Sequence, residues 1–272
     1  MQSKIADAIN LKTHPVVMTW ADSAPEGALQ FKQGTWGCVV NLLAAVATKG
    51  KVAAFDRRTY GCWGGGVGLG FGNQYEAFPG GVDGFCRFLS HGNEKDPVGK
   101  QIGEAMAQGA GARMADDFLL GERYLQNPEC TTRFLNSMPM RDIGEKFVVA
   151  KPLEKVDPAQ DEIKSVTFFV EPDALSALVI LANYTHAERE NVVVPWAAGC
   201  QVIGIYSYRE SEREHPRALV GMTDISARKN TRAAFGKHIM SFTAPWPTFV
   251  EMEGHVDGSF FGRETWHHLA SS

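Results

Sequence analysis

Apolar positions along the chain follow two rhythms, and the switching between them predicts an α/β fold. Residues 3–11 carry Ile5, Ala6, Ala8 and Ile9 at helical spacing, and His14-Pro15 stops the run. Residues 16–20 form a short strand-like stretch, and 21–32 are loop-like, with Pro25 and Gly27. Over 38–48, Val39, Leu42, Leu43 and Val46 share one helical face, and Gly50 follows as a C-cap. Residues 51–55 predict a buried strand ending at Asp56. Helices are predicted over 82–90, where Phe85, Phe88 and Leu89 fall together, more weakly over the alanine- and glycine-rich 99–112, and over 129–136. A strand is predicted over 147–153.

The rest of the chain repeats the pattern. Strands are predicted over 165–170, 192–196 and 217–222. Helices are predicted over 174–184, with Pro172 near the start, from Gly199-Cys200 through Tyr206, and over 231–240. Residues 242–252 read as extended, interrupted by Pro245 and Pro247, and 258–269 as a closing helix around Phe261 and Trp266. Trp36-Gly37-Cys38 opens a helix leading to a strand that ends Phe55-Asp56. Ala198-Gly199-Cys200 opens a helix leading to a strand that ends Thr223-Asp224. This recurrence predicts an internal duplication: related α/β halves over 1–98 and 147–272, a helical insertion over 99–146, and one domain over 1–272. Cys38 and Cys200 would then be symmetry mates, as would Asp56 and Asp224.

Six glycines lie between Cys62 and Asn73. Glycine is the costliest residue to order, so so dense a run implies positive φ angles or a backbone that something approaches closely. Read as a loop, it places Trp63, Gly64, Gly65 and Gly66 against a ligand or cofactor, with the Cys62 thiol at its mouth. Gly66-x-Gly68-x-Gly70 touches nucleotide-binding patterns but satisfies none: no Lys-Ser/Thr pair follows, and no helix follows the strand promptly. A purely structural loop is the alternative.

Composition narrows the function classes. The 272 residues are 44% apolar and 21% charged, with a formal net charge of -4, so no global basic field favours nucleic acid. No apolar stretch is long enough to span a bilayer, and the first residues have no signal-peptide core, so a soluble cytoplasmic protein is expected. A homo-oligomer is compatible with these features. The five cysteines form no CxxC pair, and with no export signal they are expected to be reduced. Cys38 and Cys200 follow glycine at predicted helix starts, where unpaired N–H groups favour a thiolate. Cys38, Cys62, Cys200 and Cys86 are therefore candidate ligands for an iron–sulfur cluster or a thiolate-bound metal. The bland reading is four small buried hydrophobes, and for Cys86, on an apolar helix face, it is the stronger one. Asp224 and Arg228, four apart beyond a strand end, could hold an anion or form a local salt bridge. The eight histidines are scattered, and neither HExxH nor Gly-x-Ser-x-Gly occurs.

Cys62-Trp63-Gly64-Gly65, Leu69-Gly70-Phe71, Gly199-Cys200, Asp224-Ile225-Ser226-Ala227-Arg228 and Ser259-Phe260-Phe261 before Trp266 together resemble the domain of unknown function 169 family, the archaeal conserved region group. The resemblance covers nearly the whole chain. It implies a focus on Cys38, Cys62 and Cys200 and, from the family's occurrence in anaerobic bacteria and archaea, a redox or accessory role in anaerobic metabolism. Three functions stay open: a cofactor- or metal-binding protein, a non-catalytic binder of a small anionic ligand, and a thiol-dependent enzyme.

Overall fold

The computed structural model describes residues 1–109, 112–186 and 190–271; of the helix predicted over 99–112, Ala110 and Gly111 lie outside the described residues. Two compact units emerge, one made of Met1–Phe71 with Arg141–Ser272, the other of Gly72–Met140. The first unit begins with α1 (Lys4–Ala8), β1 (Val16–Ala21), α2 (Val39–Lys49), β2 (Ala53–Phe55) and α3 (Trp63–Leu69). The second holds α4 (Gly81–Leu89), α5 (Pro97–Gly109), α6 (Ala112–Leu120) and α7 (Pro128–Ser137). The first then resumes with β3 (Phe147–Pro152), β4 (Glu162–Val170), α8 (Pro172–Ala182), β5 (Val192–Val193), α9 (Gly199–Gln201) and α10 (Ser207–Ser211). It ends with β6 (Ala218–Gly221), α11 (Ile225–Phe235), β7 (Met240–Pro245), α12 (Trp246–His255) and α13 (Glu264–Ser271). A π-helical turn, Val202–Tyr206, joins α9 to α10.

The α/β unit is built on a seven-stranded mixed sheet in the order β2-β3-β1-β4-β7-β6-β5. Only β5 runs parallel to its neighbour; the other ladders are antiparallel. Alternation along the strands sends side chains to opposite faces. Val166, Phe168 and Val170 of β4 join Leu178, Phe249 and Met252 in one core; Val16 and Met18 of β1 join Val39, Leu43 and Ile203 in the other. The second face is the one that carries α2, α3 and α9, at whose starts Cys38, Cys62 and Cys200 stand. It also holds fully buried hydroxyls, with Thr167 Oγ1 and Thr243 Oγ1 paired at 3.0 Å across β4 and β7. Past the π turn, the Glu210 carboxylate is completely buried and takes both arms of the Arg217 guanidinium, at 2.9 and 3.0 Å.

β1 and β4 sit side by side at mid-sheet, flanked by β3 then β2 on one side and β7 then β6 on the other. Cys38 precedes β2 and Cys200 precedes β6, the order that motivated the duplication. The local roles differ, so the structure does not show two related halves. Cys38 is the N-cap of α2, whereas Cys200 lies inside α9. Asp56 closes a turn onto the Arg58 N–H and Thr59 hydroxyl, whereas Asp224 caps α11.

The helical unit has its own aromatic core. Tyr75 stacks on Phe85 with centroids 3.8 Å apart, and Phe78 contacts Phe85, Phe88 and Phe118.

Candidate functional site

The glycine run is a helix, not a loop. Cys62 is the N-cap of α3, its Sγ accepting the Gly65 N–H at 3.3 Å, and Gly70 closes the helix at φ 94°. Close packing accounts for Gly65 and Gly68, while Gly70 and Gly72 take positive φ angles of 94° and 77° that favour glycine. A Cβ on Gly204, in the π turn, would lie 1.9 Å from the Gly68 carbonyl oxygen; one on Gly68 would lie 2.9 Å from the Cys200 carbonyl carbon. The two helical backbones touch there, which side chains would forbid. Gly65 is likewise closed off, since its Cβ would meet Val39 Cγ2 at 2.6 Å and the Tyr60 carbonyl at 2.8 Å. Gly65→Ala therefore perturbs packing before it perturbs any ligand. Trp63 and Gly64 are half-buried in the first turn of α3, and Gly66 is buried.

The same economy brings the Gly-Cys pairs together. A Cβ on Gly61 would lie 2.4 Å from the Gly37 carbonyl oxygen, and the Phe31 ring closes over both glycines. The segments leading into Cys38 and Cys62 thus run against each other. Cys200 Sγ donates to the Gly64 carbonyl at 3.6 Å, within the turn that Cys62 caps. Asp224 Oδ2 accepts the Gly199 N–H and Oδ1 the Ala227 N–H, both at 2.5 Å, tying the start of α9 to the start of α11. Helix starts separated by more than a hundred residues of sequence therefore meet in one place.

The electrostatics follow. Burial pushes the Cys200 thiol well up, and the Cys62 and Cys38 thiols and the Asp224 carboxylate push it further. Burial also raises Cys38, with partial relief from the Val40 and Asn41 N–H groups and the Asn230 side chain. Asp224 is raised by burial despite the backbone N–H groups of Ala227, Gly199 and Asp224 itself, which pull it down. Cys200 is buried, while Cys38 and Cys62 are partly accessible. Near these groups in sequence stand several exposed apolar side chains: Trp36 at 53%, Trp196 at 39% and Ile225 at 66%.

Other expected site residues stand apart from this cluster in role. Arg228 forms no salt bridge with Asp224; it donates to the carbonyls of Ile239 and Lys237 at 2.9 and 2.6 Å, clamping the turn after α11. Cys86 belongs to the helical unit, where its Sγ lies 3.6 Å from Thr132 Oγ1. Among the described residues, no group of three or more His, Cys, Asp or Glu side chains is arranged to hold a metal ion. The expected iron–sulfur or thiolate-bound metal therefore finds no support in the structure.

A model of the domain of unknown function 169 family, described as uncharacterised ArCR, matches residues 4–255. The chain belongs to that family. No curated protein and no solved structure matches it. The family match spans both units and takes in Cys38, Cys62, Cys200 and Asp224. No described helix is long and apolar enough to cross a membrane. Sequence reading missed Gly204 and the π turn, since Val202, Ile203 and Tyr206 fit an ordinary helix. The signal for Asp224 was present: an aspartate directly before a helical stretch is an N-cap signature.

Proposed function

We propose that the α/β unit binds a small molecule or cofactor at the Cys38–Cys62–Cys200 cluster, as a cytoplasmic protein serving a redox or accessory role in anaerobic metabolism. The observation that carries this reading is the use of bare glycine backbone to draw Gly37-Cys38, Gly61-Cys62 and the Cys200 turn together. Thiols dispersed as core filler need no such packing. Cys62 is the thiol that meets the ligand, because it is partly accessible and its sulfur sits on the first turn of α3. Cys200 stays protonated behind it. Exposed Trp36, Trp196 and Ile225 supply apolar surface close in sequence to the cluster, which favours an organic ligand over a free anion. The spent guanidinium of Arg228 weighs the same way.

Native mass spectrometry of protein purified without oxygen tests this. Wild-type protein and Cys130→Ser, which changes a partly accessible thiol of α7 in the helical unit, should retain an added mass that Cys62→Ser loses. Iron and acid-labile sulfide in that added mass would assign it as a cluster. Equal retention by Cys62→Ser and wild type would contradict the assignment of Cys62.

A further inference from the structure

The helical unit contains a cleft of about 450 Å³ that is independent of the thiol cluster and of the reading given to it. That volume lies within the usual range for small-molecule sites. Its walls are the chain just after α4 and the chain just after α6, and these two segments are clamped together with unusual care. The Glu94 N–H donates to the Leu119 carbonyl at 3.1 Å, the Glu122 N–H to Phe88 at 2.7 Å, and the Tyr124 N–H to Leu89 at 3.0 Å. Asn93, completely buried, sends its amide to the Gly84 and Phe118 carbonyls at 3.1 and 3.2 Å and accepts Arg87 Nε at 2.9 Å. Gly92 and Gly121 both have positive φ and touch: a Cβ on Gly92 would lie 2.0 Å from the Leu119 carbonyl oxygen, and one on Gly121 2.5 Å from the Gly92 nitrogen. Such a frame holds its rim residues in fixed places.

Arg123 stands on that rim in the left-handed region, at φ 56°. A non-glycine residue is held there only when its surroundings dictate it, and such positions concentrate at ligand sites. Lys95, Arg123 and His91 line the cleft with Glu94 as the one carboxylate, while Leu120 and Leu125 give it an apolar side. Lys95 makes no hydrogen bond or ion pair among the described residues. The only hydrogen bond of the Arg123 side chain there is a long one from Nε to the Leu120 carbonyl, at 3.3 Å, so its terminal NH groups are unspent.

We infer that this cleft binds a small organic anion, a carboxylate or phosphate carrying an apolar group, with Lys95 and Arg123 on the charged end and Leu120 and Leu125 against the apolar end. Lys95 and Arg123 against the one lining carboxylate, Glu94, leave a net positive site, and a guanidinium suits either oxyanion.

The test is an NMR titration of the full-length protein with phenyl phosphate, benzoate, inorganic phosphate and phenol. Phenyl phosphate or benzoate should shift amide signals of residues 90–95 and 120–126 saturably, and whichever binds tighter identifies the headgroup. Lys95→Gln and Arg123→Gln should each weaken that binding about tenfold, as loss of a charge-assisted hydrogen bond would. Arg123→Gly should weaken it equally while raising the melting temperature, because glycine takes φ 56° without strain. That pairing separates lost recognition from lost folding. The inference is overturned if neither anion gives saturable shifts there, if phenol alone binds as well as phenyl phosphate, or if the variants bind like wild type.

Discussion

Gly204→Ala should be among the most damaging single-methyl additions to this chain, lowering stability by about 3 kcal/mol or more, at or beyond the upper end of overpacking costs. The added Cβ would sit 1.9 Å from a backbone oxygen, that of Gly68, so no side-chain rotamer can relieve it. The helices must separate, and the movement opens the seam where α3 carries Cys62 and the π turn follows Cys200. Gly254→Ala is the matched control. Gly254 also lies within a helix, α12, but a Cβ there meets nothing within 4 Å, so alanine's better helix propensity should leave stability unchanged or raise it by up to ~1 kcal/mol. Urea unfolding midpoints measure both. Equal stability for Gly204→Ala and wild type would mean that the α3–π-turn contact is not as close as described.

The second large effect concerns the thiols. Iodoacetamide at neutral pH should modify Cys62 at least about a hundredfold faster than Cys200, since only the thiolate reacts and Cys200 is both buried and held protonated. The pH dependence has a definite sign. The folded Cys200 pKa is raised, so above the ordinary thiol range the unfolded chain has lost its proton while the folded chain keeps it. The unfolded state then binds fewer protons, and stability falls as pH climbs through that range. Cys200→Ala should flatten this alkaline loss. Peptide mass spectrometry after timed labelling, and urea midpoints at neutral and alkaline pH, read the two effects. Rapid labelling of Cys200 in the folded protein would contradict its burial.

How legible all this was depended on where the determining interaction lay. α2 was plain because one apolar face and a left-handed Gly50, at φ 59°, are local signals. α11 was placed too late: its start is fixed by Asp224 accepting the Ala227 N–H, and its end by Gly236, at φ 71°. The sequence reads 242–252 as one extended stretch interrupted by Pro245 and Pro247. Only the first part is strand; Pro247 sits in the first turn of α12, where a missing N–H costs nothing. The glycine run was the deepest misreading. Four of the six glycines fall inside α3 and argue against a helix by propensity, and the backbone-to-backbone contact of Gly68 with Gly204, far along the chain, is what favours small residues there. The site shared this character. Gly-Cys repetition singled out Cys38, Cys62 and Cys200, whereas Arg228 was indistinguishable by sequence from an anion clamp until the carbonyls of Lys237 and Ile239 were seen around it.

The central claim is that Cys62 and its partner thiols form one site, and a bridging reagent tests it most directly. Dibromobimane joins two thiols only when they lie close together, and peptide mapping identifies the pair. Treatment of the reduced, folded protein should give a bridge from Cys62 to Cys38, the other partly accessible thiol of the cluster, abolished by Cys62→Ser and unaffected by Cys130→Ser. Singly modified peptides alone, with no bridge among these three cysteines, would contradict the account.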